Sequence, residues 1–286
     1  MPMQTPVLNL DHCRVENDVE REIVQYHFQQ EQKTRIPPNF RLQSGITHSQ
    51  LRVVIDYAFA LKNRCHLSRD TMELAMSILM RFLTRRLCPL TKLQLLICSC
   101  LFLAGTYAES YVLSIGDFLY MAQDSFTGKE LNKANEVILE ALNYQIINPT
   151  PSYFLNLYFN QTELKEAARS KAVAIATYLN SLCWSQPELL STYLPSELAY
   201  AVLTLTSRWG TTFRIKQVQK FTGYNGRRCR ACIQQVRQHL MLISEKTGVI
   251  TNIKDSFGAR LAKFQIPKKP VKQPDAQQAD SPNVLL

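Results

Sequence analysis

The residue types best suited to chemistry in this chain are eight cysteines and five histidines. Cys229 and Cys232 form a single C-x-x-C pair, whereas a zinc ribbon needs two such pairs to supply four ligands. Cys98 and Cys100 lie in the most apolar run of the chain, and His239 falls within an amphipathic helical pattern. We therefore expect buried or free thiols in a reducing compartment, no metal site and no cofactor.

Motifs of the common enzyme classes are missing from the sequence. No G-x-x-x-x-G-K-[ST], G-x-G-x-x-G or H-E-x-x-H occurs in the 286 residues. The acidic residues are scattered along helical patterns, where carboxylates are most often solvated. We expect that the protein is not an enzyme.

The apolar run LQLLICSCLFLAG (93–105) predicts a buried central helix, because it is apolar on all sides and amphipathic segments flank it. Its 13 residues are too few for a bilayer, which needs about 20. The first residues show no basic segment followed by an apolar one, so a signal peptide is not supported. We expect synthesis in the cytosol and no membrane association.

Periodicity predicts helices on both sides of the central one. Apolar residues recur at helical spacing over 51–63 and 69–85, and Thr127 with Glu130 forms a capping box that opens a helix over 128–143. Alternating β-branched and aromatic runs bounded by turn residues are missing. The sequence therefore predicts an all-α protein.

The pattern repeats after NPTP (148–151), where Pro151 can begin a helix at its first turn. The apolar segment ELAYAVLTLTS lies about 100 residues after the first central helix, which indicates two five-helix units. An amphipathic helix with Val19, Ile23 and Tyr26 on its apolar face precedes them. The further helices of the second unit are predicted over 163–184, 196–208, 214–222 and 226–246. The predicted division is a flexible N-terminus (1–17), an N-terminal helix (18–34), a first unit (45–147), a second unit (150–264) and a disordered basic tail (265–286).

The formal net charge is +10, and basic residues cluster in FRIKQVQK (213–220), NGRRCR (225–230) and IPKKPVKQP (266–274). Such a charge suits an acidic or nucleic-acid partner. The first two clusters have helical spacing, so we interpret them as solvated helix faces.

Four segments carry a resemblance to cyclins of the A/B, mitotic type. MRFLTRRLCPLTKLQLL (80–96) resembles that family's D-R-F-L and K-L-Q-L motifs, and NYQIINPTPSYFL (143–155) resembles its linker. In the second unit, YLPSELAYA (193–201) and TGYNGRRC (222–229) are similar to its Y-L-P-S and T-G-Y motifs. The resemblance covers nearly the whole chain and implies two tandem five-helix cyclin-box repeats preceded by an N-terminal helix.

The resemblance also implies a function in the cell cycle and in mitosis, and a location in the nucleus and cytoplasm. Cyclins bind a cyclin-dependent protein kinase through the first repeat and press a mobile kinase helix inward. That movement completes a Lys–Glu ion pair in the kinase, so a cyclin is an allosteric activator.

The kinase-binding surface implied by the resemblance has kept its apolar part and lost its charges. The family's lysine falls at Thr106 and its glutamate at Asn135, so both halves of the charged pair are neutral here. The positions of a second family ion pair, within the first repeat, carry Leu51 and Met80 in this chain. Because both partners are replaced by apolar residues and no charge is left unpaired, the change favours an intact fold. The implied apolar contacts are Ile23, Tyr107, Leu139, Tyr144 and Ile146.

A substrate-docking groove is implied at Gln50, Val53, Tyr57, Leu93 and Gln94, through which substrates or inhibitors of the kinase would bind. Tyr57 and Gln94 match the family, whereas Gln50 replaces an apolar residue and should make the groove shallower or more polar. The alternative is that Val53 and Leu93 belong to the rim of the core.

Two other functions stay open. The chain could be a cyclin-fold module that binds without activating, or a cyclin-like transcription factor that binds nucleic acid. The charge of +10 suits a transcription factor, but the missing zinc ribbon and the mitotic-type N-terminal helix count against that function. We therefore do not expect a nucleic-acid partner. Ser281, followed by Pro282, is a candidate phosphorylation site beside the basic tail.

Overall fold

The secondary structure consists of twelve α-helices and two short 3-10 helices in a computed structural model, and no strand occurs within the part of the chain that it describes. The predicted all-α class is therefore confirmed. The residues described are 8–15, 17–37, 42–43, 45–111, 113–245, 252 and 264–267.

The first repeat contains five α-helices, as predicted. Side-chain oxygens of Thr47, Ser68, Ser114 and Thr127 accept a backbone N–H at the starts of four of them, which explains why those helices begin where they do. The five helices are α2 (His48–Arg64), α3 (Arg69–Leu83), α4 (Leu93–Ala108), α5 (Ile115–Met121) and α6 (Gly128–Ala141).

Helix α4 is the centre of this repeat, and α2, α3 and α6 pack around it. The stretch Leu90–Ala108 has 19 residues and a mean hydropathy of 1.4, so its length and composition alone would allow it to cross a membrane. Buried core helices pass the same test, and most of this stretch is covered by its neighbours. Leu51 and Met80, the two apolar replacements, are both fully buried in the core.

The second repeat also has five principal helices, with one addition. Helix α10 is its centre and is buried from Ser196 to Thr206, as expected for the counterpart of α4. The addition is α9, a six-residue helix that begins at a proline and that periodicity did not predict. The helices are α7 (Pro151–Asn160), α8 (Glu166–Cys183), α9 (Pro187–Thr192), α10 (Pro195–Trp209), α11 (Lys216–Thr222) and α12 (Arg230–Glu245).

The predicted N-terminal helix is present as α1 (Asp18–Lys33). Val24, Phe28 and Glu31 are buried, and the Phe28 ring lies against Phe154 of α7. The apolar face that periodicity identified carries Val19, Ile23 and Tyr26, and it is exposed. The packed face of α1 is therefore a different one, which periodicity did not identify.

Residues 8–14 belong to the stretch expected to be flexible, and they contact the second repeat. The Asn9 N–H donates to the Phe221 carbonyl at 2.9 Å, and the Arg14 N–H donates to Gln161 Oε1 at 2.6 Å. At the other end of the chain, Ile266 is buried. Residues 268–286 of the predicted tail, including Ser281, lie outside the described residues.

Two buried carboxylates connect the repeats. The Glu73 carboxylate of α3, 4% exposed, accepts the Ser152 N–H at 3.0 Å, the Ser152 hydroxyl, and Asn180 Nδ2 at 2.6 Å. The Glu31 carboxylate of α1, 1% exposed, accepts the Ser196 N–H at 3.0 Å and the Ser196 hydroxyl at 2.8 Å. Each serine is the second residue of its helix, so each glutamate satisfies N–H groups that a helix leaves unpaired.

Burial raises the pKa of Glu31 to about 8 and that of Glu73 to about 7, against an ordinary value of 4.5. The folded state therefore binds protons more tightly than the unfolded state. The stabilising contribution is complete below the unfolded pKa and is lost as the pH rises through the folded values.

We predict that the free energy of unfolding falls by on the order of 6 kcal/mol between pH 5 and pH 8, from the two glutamates together. Urea denaturation at one-unit pH steps measures it. The double variant Glu31→Gln/Glu73→Gln keeps an acceptor oxygen at each position and should show little dependence over this range. Equal pH dependence in both proteins would show that other groups are responsible.

Candidate functional site

Exposed large hydrophobic side chains are concentrated in the first half of the protein. Of thirteen among the described residues, twelve precede residue 148, and Leu242 is the one in the second repeat. Exposed apolar area of this kind marks sites of protein contact. The candidate binding surface therefore belongs to α1 and the first repeat. The twelve are Val19, Ile23, Tyr26, Val53, Leu87, Leu90, Tyr107, Tyr111, Tyr120, Val137, Tyr144 and Ile147.

The turn that ends α6 presents the most prominent of the predicted contacts. Asn143 and Tyr144 both adopt left-handed backbone conformations, with φ of 49° and 57°. Such a conformation costs a non-glycine residue about 1–2 kcal/mol, so surrounding contacts must hold it. The Tyr144 N–H donates to the Leu139 carbonyl at 2.8 Å, and the Tyr144 side chain is left 71% exposed.

Arg81 of α3 holds the segment that follows this turn. It is buried, its Nη1 donates to the Ile146 carbonyl at 3.0 Å, and its Nη2 donates to the Gln145 carbonyl. Burial lowers the pKa of Arg81 to about 10, so it stays charged at neutral pH. Sequence reasoning missed this residue, although a cation inside the apolar stripe of α3 was the available signal.

The two positions at which the resemblance implies a charged pair differ in environment. Thr106 is exposed near the end of α4, and its hydroxyl donates to the Phe102 carbonyl at 2.9 Å. Asn135 of α6 is only 9% exposed, and its Oδ1 has no hydrogen-bond partner among the described residues. An unpaired buried acceptor costs about 1–3 kcal/mol, which a donor from a partner could recover.

The remaining predicted contacts are exposed to different degrees. Ile23 on α1 and Tyr107 on α4 are exposed. Leu139 is half-buried, and Ile146 is half-buried against the core. The structure therefore offers Tyr107, Tyr144 and Ile23 most fully to a partner.

The predicted docking groove is only partly presented at the surface. Gln50 Oε1 accepts the Thr47 N–H at 2.9 Å as part of the capping box of α2, so this side chain is already engaged. Leu93 is 1% exposed and belongs to the core, whereas Val53 and Gln94 are exposed. Tyr57 is half-buried, and burial raises its pKa.

A separate apolar cavity of about 280 Å³ lies between the end of α3, the start of α4 and α6. Its rim includes a salt bridge between Lys92 Nζ and Glu130 Oε1 at 3.1 Å. No sequence pattern indicated this cavity, because its walls come from three separate helices. Its apolar lining is Phe82, Leu87, Leu95, Leu96, Val137 and Ile138.

The cysteines and histidines form no chemical centre among the described residues. No group of three or more His, Cys, Asp or Glu side chains there could hold a metal, and all eight cysteines are free. Burial raises the pKa of Cys229 to about 12 and that of Cys232 well above its ordinary value. His239 is buried, with Nε2 3.1 Å from Ser185 Oγ.

Known proteins with similar sequences include G2/mitotic-specific cyclins. The chain is 28% identical to the G2/mitotic-specific cyclin-A of Drosophila melanogaster over 185 residues, which cover 64% of this chain and 37% of that protein. It is 26% identical to the G2/mitotic-specific cyclin-B2 of Oryzias javanicus over 241 residues, 84% of this chain and 62% of that one. The chain thus spans between about a third and two thirds of the length of these relatives.

Solved structures with the same fold include a viral cyclin from herpesvirus saimiri. It superposes with a TM-score of 0.61 at 17% identity, covering 77% of this chain and 93% of that chain. The CAK complex of Chaetomium thermophilum bound to ATP-γ-S gives a TM-score of 0.55 at 12% identity, covering 87% and 80%.

Family models match both repeats. The model described as "Cyclin, N-terminal domain" matches residues 22–147, and the one described as "Cyclin, C-terminal domain" matches residues 149–263. The two matches follow one another directly and together span most of the chain, in agreement with the two helical repeats around α4 and α10. The chain therefore belongs to the cyclin family.

Proposed function

We propose that the protein is a regulatory subunit that binds a cyclin-dependent protein kinase through its first repeat and activates it, in control of the cell cycle. Cyclins are regulatory subunits and not enzymes. The observation that carries the proposal is that three of the implied apolar contacts, Ile23, Tyr107 and Tyr144, are exposed. The relatives are named as mitotic cyclins, and one structural neighbour is titled as an RNA polymerase II CTD kinase complex. We expect such a complex in the nucleus and cytoplasm.

The proposed mechanism follows from the rigidity of this surface. Tyr144 is held by the α6 turn, and the segment behind it is held by Arg81. A kinase helix packed on these side chains would be stabilised in its inward position, because the surface is already ordered before binding. Activation then requires only that the kinase be bound more tightly in its active state than in its inactive state.

Binding without activation is the second candidate, and the two neutral positions favour it. Thr106 and Asn135 bring no charge to the surface, so fewer interactions discriminate between the two positions of the kinase helix. Charged hydrogen bonds are worth about 1.5–3 kcal/mol each. A complex that forms but leaves the kinase inactive would establish this candidate.

Affinity purification from dividing cells, followed by identification of the bound kinase, tests the proposal directly. Phosphorylation of a peptide substrate by that kinase, with and without the purified protein, then separates activation from binding alone. Recovery of no kinase would contradict both candidates.

Tyr144→Ala should weaken kinase binding about 30-fold, because an aromatic side chain at the centre of an interface contributes about 2 kcal/mol or more. Tyr120→Ala is the matched control, since Tyr120 is 73% exposed on α5 and lies outside the proposed surface. Titration calorimetry measures both, and circular dichroism checks that each variant is folded. Equal loss in the two variants would place the interface elsewhere.

The double variant Thr106→Lys/Asn135→Glu should tighten kinase binding by about tenfold or more, since it restores two charged groups. Asn135→Glu alone should lower the melting temperature, because Asn135 is only 9% exposed and the new carboxylate would lack a partner. Dissociation constants of the wild type, both single variants and the double variant form a double-mutant cycle, which measures the interaction between the two positions. An unchanged or weaker double variant would show that these positions do not face the kinase.

A further inference from the structure

The charge of the chain is distributed very unevenly. Between Glu197 and Glu245 there are eight lysines and arginines and no aspartate or glutamate. This stretch therefore accounts for most of the net charge of +10. The eight residues are Arg208, Arg214, Lys216, Lys220, Arg227, Arg228, Arg230 and Arg237.

Tertiary contacts bring the basic segments of this stretch together. The Tyr200 hydroxyl of α10 accepts a hydrogen bond from Gln219 Nε2 of α11 at 3.0 Å. The Tyr200 ring lies 5.6 Å from the Tyr224 ring, over which the Arg228 guanidinium sits at 5.4 Å. The helices α10 and α11 and the turn before α12 thus share one side of the second repeat.

Six cations on these three segments, on the loop between α10 and α11 and at the first residue of α12 are exposed, and we call them the basic surface: Arg208, Arg214, Lys216, Lys220, Arg227 and Arg230. Few acidic groups offset them. Glu163 is near Arg214, but it forms a salt bridge with Arg14, which is the main reason that its pKa is lowered. Glu197 is buried beneath the surface.

Apolar side chains contribute almost nothing to the exterior of this region. Leu242 is the one exposed large hydrophobic among the described residues of the second repeat, and it lies near the far end of α12. Protein interfaces depend on buried aromatic and apolar anchors, whereas nucleic-acid interfaces are polar and strongly positive. The chemistry of the basic surface therefore favours a phosphate-rich partner.

The aromatic residues of this region favour a duplex over a single strand. Phe221, Tyr200 and Tyr224 are buried, and Trp209 and Phe213 are half-buried. Single-stranded nucleic acid binds through bases stacked on exposed aromatic rings, and these rings are covered. A duplex presents its phosphates outward and needs only cations.

We propose that the basic surface binds the phosphate backbone of duplex nucleic acid without reading its sequence. Such a contact would leave the apolar surface of the first repeat free for a kinase. The sequence alone led us to interpret these residues as solvated helix faces, and their convergence on one side of the repeat changes that interpretation.

The full chain is titrated against a fluorescein-labelled 24-base-pair DNA duplex of mixed sequence, with anisotropy as the readout. Each contacted phosphate contributes about 0.9 to the slope of log affinity against log salt, so five or six contacts should weaken binding by about 10³ between 50 and 200 mM KCl. Lys216→Gln/Lys220→Gln/Arg227→Gln should weaken binding at 50 mM at least tenfold and reduce the slope by about 3.

Two control variants remove the same number of charges elsewhere. Lys33→Gln/Arg86→Gln/Lys129→Gln alters exposed residues of α1 and the first repeat, and Lys268→Gln/Lys269→Gln/Lys272→Gln alters the tail. The proposal requires both to keep at least a third of the wild-type affinity, with circular dichroism confirming that every variant is folded. The proposal is overturned if the protein does not bind the duplex at 50 mM KCl, or if the basic-surface variant and either control lose the same affinity. It is also overturned if poly-glutamate competes as well as unlabelled duplex at equal charge.

Discussion

Buried glutamates at two helix starts hold the protein together. Glu73 of α3 receives the N–H and hydroxyl of Ser152 at the start of α7, and Glu31 of α1 receives the same groups of Ser196 at the start of α10. Each contact pairs a buried side-chain acceptor with the N–H and hydroxyl groups at a helix start, so removing either glutamate side chain would leave donors unpaired. The first repeat, the second repeat and the N-terminal helix are joined by these two interactions.

The same helix that anchors the second repeat also shapes the proposed kinase surface. Arg81 lies two turns after Glu73 on α3 and holds the carbonyls of residues 145 and 146. The linker between the repeats is thus fixed at Ser152 and again just after Tyr144. Because both anchors come from one buried helix, the exposed Tyr144 is positioned by the core and not by the loop that carries it.

Four positions at which the resemblance implies charged residues are neutral in this chain, and they differ in environment. Leu51 and Met80 are both buried, and replacing a buried ion pair by apolar residues is often neutral or stabilising by about 1–4 kcal/mol. Thr106 is exposed, whereas Asn135 is buried. The two repeats differ correspondingly in their exteriors, since the first exposes apolar side chains and the second exposes cations.

Sequence alone determined the all-α class, the two repeats and their central helices, because helical periodicity and side-chain caps are local properties of the chain. It did not determine which face of α1 is covered, that Leu93 is buried, or that Arg81 reaches the linker carbonyls. Periodicity shows which residues share a face, but burial depends on what packs against that face. The apolar cavity beside α6 and the basic surface of the second repeat were likewise decided by tertiary structure, since each combines segments that are distant in sequence.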